Sequence, residues 1–240
     1  MTDTQTPYHC PFCNQSFDSF YPWPDIYDFP SHIYEMWNKE TAICPFCESL
    51  DRERLYRLYI ERETDLLKRK QKLLHIAPEM NLRQWISNES TVDYLAGDLM
   101  PADAETIQMD IRAIPYPEGS FDVIMCSHVL EHILEDQAAM NELYRVLKPG
   151  GWSILQVPIS LNLKKSLENP AITSPEERLI YFGQDDHVRL YSQEDFTGRL
   201  EAGGFIVELY DFAEHHGLEE AKRYGLSAGD TLYIGRKKAL

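Results

Sequence analysis

The sequence predicts an α/β protein: seven strands alternating with helices in one sheet, preceded by a small separate module. Three observations predict this. From residue 72 onward, strand-length apolar runs alternate with stretches of helical periodicity. Strands separated by helices imply a largely parallel sheet with helices on both faces. Two identical Cys-Pro-Phe-Cys segments lie before residue 50, outside that alternation. Finally, 240 residues are enough for one sizeable core and a small accessory module.

The module spans residues 1–50. Between its cysteine pairs, residues 14–43 are rich in aromatics and proline, including Phe17, Phe20, Trp23, Tyr27, Phe29, Tyr34 and Trp37. Closely spaced prolines prevent a central strand or long helix there. These aromatics serve either as the module's own small core or as a lid over a pocket in the larger domain. Residues 49–70 read as an amphipathic helix, with Leu55, Leu58, Tyr59, Ile60, Leu66 and Leu67 recurring near a 3.6 spacing. Residues 51–71 are thus expected to link the module to a domain over 72–240.

In that domain the expected strands are Leu73–Ala77, Thr91–Ala96, Thr106–Met109, Phe121–Ser127, Trp152–Val157, Phe205–Tyr210 and Thr231–Gly235. Leu82, Trp85 and Ile86 mark one helical face. A helix over 131–147 should stop at Lys148-Pro149-Gly150-Gly151, a C-terminal lysine followed by breakers. Another, Ser192 to Ala202, opens on a Ser-x-x-Asp capping pattern.

Thirty-nine acidic and 23 basic side chains give a net charge of −16. Residues 1–50 carry −6, residues 51–72 carry +3 and the remainder −13. Phosphate backbones are held by clustered Lys and Arg, so this distribution weighs against nucleic acid. No apolar run approaches the ~18 residues of a membrane span. The start, Met1 to Pro7, lacks the basic and apolar regions of a secretory signal. The expected location is the cytoplasm.

Cys10, Cys13, Cys44 and Cys47 form two Cys-x-x-Cys knuckles. Each puts two thiolates on one tight turn, and two facing turns complete a tetrahedral four-cysteine zinc site. Redox use needs no second copy, and disulfides fit poorly with a cytoplasmic chain. With four protein ligands the zinc has no open position and is expected to be structural. Cys126, alone in an apolar run, reads as a small buried hydrophobe.

Residues 106–151 carry a set of motifs: Ile107-Gln-Met-Asp110-Ile111, then Phe121-Asp122 through Ser127-His128-Val-Leu-Glu131-His132, then Leu143-Tyr-Arg145-Val-Leu-Lys148-Pro149-Gly150-Gly151. Asp186-His187-Val-Arg189-Leu-Tyr-Ser192 and Ala202-Gly-Gly-Phe205 follow. Together they resemble the class I S-adenosylmethionine-dependent methyltransferases, in their type 11-like small-molecule branch, over about 170 residues. The resemblance implies a Rossmann-like seven-stranded sheet with S-adenosylmethionine at the carboxyl ends of the strands. It also implies that Asp98, followed by Leu99, holds the ribose hydroxyls. Asp110 would accept from the adenine amino group and the Ile111 backbone would meet the ring. Ser127 and His128 would then sit beside the methionine portion.

The first motif departs from the family, which has an acidic residue and a glycine-rich turn after strand one. Here His75-Ile76-Ala77-Pro78-Glu79-Met80-Asn81 contains no glycine. In register, His75 takes the acidic position, while Ala77, Glu79 and Asn81 replace glycines. Glu79 is expected to supply the missing carboxylate from within the turn. The segment from Leu99 to Glu105 leaves room for barely a turn between strands two and three.

For methyl transfer an enzyme supplies chiefly alignment and desolvation, worth about 7–11 kcal/mol. A base is needed only where the acceptor must lose a proton, and His128, His132 and His187 are the candidates, His132 reading first as structural. His187 and Arg189 fall where the family shapes its acceptor pocket. The expected activity is methyl transfer to a small or soluble metabolite, sugar-like or carboxylate in kind. The alternatives are an RNA base methyltransferase and a non-catalytic scaffold with a degenerate first motif. Oligomeric state is not legible.

Overall fold

The computed structural model of the protein describes residues 8–23 and 40–239. Seven strands form the main sheet: β1 (Gln71–Ile76), β2 (Val92–Asp98), β3 (Thr106–Gln108), β4 (Phe121–Ser127), β5 (Leu147–Gln156), β6 (Ile206–Asp211) and β7 (Thr231–Arg236). They lie in the order β3-β2-β1-β4-β5-β7-β6. Strands β1 to β5 pair in parallel, and β7 runs antiparallel to β5 and β6. The order reverses between β1 and β4, which opens a crevice beyond their carboxyl ends.

The helices are α1 (Asp51–Glu63), α2 (Met80–Ile86), α3 (Asp136–Val146), α4 (Pro175–Phe182), α5 (Gln193–Ala202), α6 (Phe212–His216) and α7 (Leu218–Arg223). The period-two alternation of each strand feeds two cores. Leu73, Val123, Met125 and Ile154 pack under α1 and α2. Leu74, Ile76, Ile124, Cys126 and Leu155 pack under α3 and α5. Each fully buried Leu or Ile contributes roughly 1.5–3 kcal/mol. Cys126 is one of these core residues, and burial pushes its thiol well up.

Two helices differ from expectation. The one foreseen over 49–70 ends at Glu63, because Thr64 Oγ1 donates to the Ile60 carbonyl at 2.7 Å and the chain turns. Its Leu55, Tyr56, Leu58, Tyr59 and Ile60 are buried against the sheet, so α1 is a layer of the domain and not only a link. The helix foreseen from 131 begins at Asp136, with a single 3-10 turn at Leu130–His132. The Arg189 guanidinium takes the Leu130, Ile133 and Leu134 carbonyls, which a continuous helix would have used internally. As expected, α3 stops before Lys148-Pro149-Gly150-Gly151, but that segment already belongs to β5. In α5, Ser192 Oγ accepts from Asp195 N as its sequence pattern foretold.

Between β2 and β3 there is no helix, only turns. Beside the main sheet, Arg189–Ser192 pairs with Ile159–Ser160 and with Leu167–Glu168.

The cysteine module is fastened by Arg54 of α1, which is fully buried. Its guanidinium donates to the carbonyls of Thr41 (2.6 Å), Ser49 (2.8 Å) and Tyr224 (2.8 Å) and lies 3.9 Å from the Phe20 ring centroid. Gly225, at φ 67°, lets the backbone come this close; a Cβ there would meet the Phe20 ring at 2.5 Å. Of the aromatic insertion, residues 24–39 lie outside the described residues.

Candidate active site and metal centre

The four cysteines meet as their spacing foretold. Each knuckle closes identically: Asn14 N donates to Cys10 O and Glu48 N to Cys44 O, with Asn14 and Glu48 in the left-handed region. Across the centre, Cys10 and Cys47 sulfurs are 3.6 Å apart, and those of Cys13 and Cys44 3.7 Å. A tetrahedron of ~2.3 Å zinc–sulfur bonds requires sulfurs about 3.8 Å apart, so the donor set fits zinc. All four are free thiols, not disulfides.

A cleft of about 640 Å³ lies at the crevice, lined among others by Ala77, Asp98, Leu99, Asp110, Ile111 and His128. Five of the residues expected at the cofactor are thus brought together with His128, from the ends of β1, β2, β3 and β4. Asp98 ends β2, and its Oδ1 accepts from Met100 N at 2.7 Å, which leaves its other oxygen available. Asp110 is bound by Arg112: Nε and Nη2 reach its Oδ2 at 3.1 and 2.7 Å, holding the carboxyl below its usual range. The Asp110 carboxylate is thus already engaged by Arg112.

The first motif solves its lack of glycine in a specific way. Ala77 sits at φ 47°, taking a glycine-type conformation at the cost of some strain. His75 is fully buried, with Nδ1 2.9 Å from Tyr94 OH and Nε2 3.0 Å from Glu79 Oε2. Burial would raise the Glu79 carboxyl, but the His75 contact outweighs it and holds the group low. Glu79 Oε1 is buried with no hydrogen-bond partner among the described residues. A charged acceptor left unpaired beside the cleft fits the cationic ammonium of a methionine tail. His75 is thus a positioning residue behind Glu79, and neither lines the cleft itself.

Ser127 is withdrawn from the cleft: it is buried and its Oγ is 2.8 Å from Tyr56 OH of α1. Arg189 is likewise buried and does not line the cleft; it is tied to Glu168 and the loop carbonyls, so it positions the 130–134 segment.

His128 stands at φ 54°, its N–H donating to Gln156 O at 2.8 Å. It lines the cleft and also a second pocket on its other side, walled by Trp23, Asp51, Arg52, Tyr56, Gln156 and Asp230 among others. Trp23 is thus one aromatic of the insertion that does form a pocket wall. Sequence reasoning missed Asp51, Arg52 and Tyr56 of α1 and Asp230, which lies more than 170 residues further along the chain. Burial, with Asp51 nearby, pushes the Asp230 carboxyl up to about 7.

His187, expected to be catalytic, is also buried. Its Nδ1 is 3.2 Å from Phe182 O and its Nε2 4.0 Å from Glu131 Oε1, and desolvation lowers its pKa. Glu131 is itself buried; burial would raise its carboxyl, and the surrounding His128, His187 and His132 hold it low.

Residues 73–155 match the family described as "Methyltransferase domain". The chain is 30% identical over 129 residues to the ubiquinone/menaquinone biosynthesis C-methyltransferase UbiE of Cupriavidus taiwanensis, covering 53% of this chain and 52% of that protein. It therefore spans about half the length of the curated relatives it matches. The [4+2]-cyclase SpnF shares the fold with a TM-score of 0.57 at 19% identity, over 87% of this chain and 88% of that one. An S-adenosylmethionine-dependent methyltransferase from Archaeoglobus fulgidus gives 0.50 at 15% identity, over 79% and 95%. Residues 73–155 thus match the methyltransferase-domain family, and the likeness to these structures shows a shared fold. No helix among the described residues is long and apolar enough to cross a membrane.

Proposed function

We propose that this protein transfers a methyl group from S-adenosylmethionine to a small acceptor held between the cysteine module and the edge of β4 and β5. The observation that carries this is the position of His128, which lines both the cofactor-type cleft and the second pocket. When bound, S-adenosylmethionine supplies an activated methyl group. Asp98 would hold the ribose diol, Asp110 and Ile111 the adenine, and Glu79 the methionine ammonium. Met109, Val129 and Ile133 would exclude water from the cleft.

The acceptor pocket has Trp23 on one wall and Asp51, Arg52 and Asp230 among its charged groups. At about 90 Å³ it suits a small acceptor or one end of a larger metabolite, and the chain's net charge of −16 disfavours a nucleic acid chain. Where the acceptor must lose a proton, His128 is the group within both pockets to take it. The four cysteines would hold one structural zinc, whose four thiolates give the centre a −2 charge beside the buried Arg54.

Calorimetric titration with S-adenosylmethionine tests this reading. A Kd in the micromolar range is expected, whereas no binding at millimolar concentration would overturn it in favour of a non-catalytic scaffold.

A further inference from the structure

At the carboxyl end of β4, Glu131, His132 and His187 converge. One ligand atom from each lies within 4.8 Å of the others. From this cluster we infer a second metal site, separate from the cysteine centre, that takes a borderline divalent transition ion such as Zn²⁺ through two imidazoles and one carboxylate.

The chief observation is Glu131. Its side chain is 1% exposed, yet neither carboxylate oxygen has a hydrogen-bond partner among the described residues. Buried carboxylates are ordinarily satisfied by donors, and an ionised one left bare is costly. His128 Nδ1 stands 3.4 Å and His187 Nε2 4.0 Å from Oε1, so the groups facing this carboxylate include imidazoles, which are also metal ligands.

The imidazoles are set as ligands usually are. Metal-bound histidines commonly donate their second ring N–H to a carbonyl or carboxylate, which fixes tautomer and ring orientation. His187 Nδ1 is 3.2 Å from the Phe182 carbonyl, leaving Nε2 toward Glu131. His132 Nδ1 is 3.2 Å from Asp186 Oδ2. The two rings meet nearly perpendicular, with centroids 4.7 Å apart, so both can direct a nitrogen at one point without stacking.

Three donors of this kind leave coordination positions open, unlike the closed four-cysteine centre. His132 and Asp186 also line the large cleft, so those positions are reached from it. On the methyltransferase reading, an open position would take an oxygen of the acceptor and make it easier to deprotonate.

Zinc content after equilibrium dialysis in zinc-buffered solution tests the site, using the full chain and the variants Glu131→Gln and His132→Ala. The wild type should hold one equivalent more than either variant, with S-adenosylmethionine affinity in Glu131→Gln, whose side chain does not line the cleft, within about threefold of wild type. Equal zinc content in the wild type and both variants would overturn the inference. Because the readout is a difference, it stands whether or not the cysteine centre is loaded. It also stands apart from cofactor binding, so failure of the methyltransferase reading would appear separately. Glu131→Gln keeps the shape of a buried side chain and His132 is partly exposed, so at least one variant should fold, as far-UV circular dichroism would verify.

Discussion

The cysteine module and the carboxyl edge of β1 and β4 are built on opposite principles. Among the described residues of the module, up to residue 50, no buried side-chain nitrogen or oxygen lacks a hydrogen-bond partner. Both knuckles close on matching backbone hydrogen bonds, and Ser49 Oγ lies 3.2 Å from Cys10 Sγ. Arg54 spends its donors on carbonyls of the module and of the segment before β7. At the sheet edge the reverse holds. Ala77 and His128 stand in left-handed conformations, and Glu79 Oε1 and both Glu131 oxygens are buried unpartnered. Saturation marks a region that holds the protein together. Unanswered buried polar atoms mark one that awaits a ligand; left-handed backbone does not separate the two, since Asn14 and Glu48 of the knuckles share it. Damage to the first should therefore cost stability, and damage to the second should cost affinity.

The largest expected effect is on the saturated side. Cys44→Ser should remove one zinc equivalent and unfold the module, since a structural zinc supplies folding free energy on the order of 10 kcal/mol in small modules. Limited proteolysis would then cut before residue 63 while the sheet persists. Retained zinc and intact protection would show the centre to be something other than a staple.

Next comes pH, through Asp230. An unfolded Asp titrates near 4, whereas in the fold this carboxyl is pushed up to about 7 by burial. The fold thus favours the neutral acid: its contribution is complete below pH ~4 and is lost as pH rises through ~7, by up to about 4 kcal/mol. Asp230→Asn should abolish that slope, leaving the variant more stable than wild type at pH 8 and nearly equal at pH 4. Parallel urea midpoints across pH for both proteins would contradict the burial of this acid.

On the unsatisfied side, Glu79→Ala should weaken S-adenosylmethionine binding tenfold or more, the cost of a charged hydrogen bond being roughly 1.5–3 kcal/mol. Its melting temperature should hardly fall. If affinity is unchanged and stability drops instead, the contrast between the regions fails at this residue. The smallest effect belongs to Ala77→Gly. Relief of its positive φ should offset the entropic cost of glycine, leaving stability within about 1 kcal/mol of wild type. A loss well beyond that would mean the methyl group packs more than the backbone strains.

The sequence alone was sufficient for the seven strands of the main sheet and for the meeting of the four cysteines, though not for every helix bound. Strand periodicity is a property of neighbouring residues, and a Cys-x-x-Cys knuckle is one turn, so both are written locally. Asp98, Leu99, Asp110, Ile111 and Ala77 were placed by the family resemblance, whose motifs lie at or beside strand ends that the strand order brings to one edge. What the chain's own order could not convey was which side chains would be spent on one another. Ser127 is occupied by Tyr56 of a helix that reads as a link, and Arg189 by carbonyls of a segment that reads as helical. Glu131 and His187 lie 56 residues apart and come together through Val188 N–H donating to the Glu131 carbonyl and Arg189 to the carbonyls on either side. Local pattern fixes where a residue sits on its own element, because backbone geometry repeats over a few residues. Its partner is chosen by packing between distant segments, and so only the tertiary structure decided which groups were satisfied and which were left open.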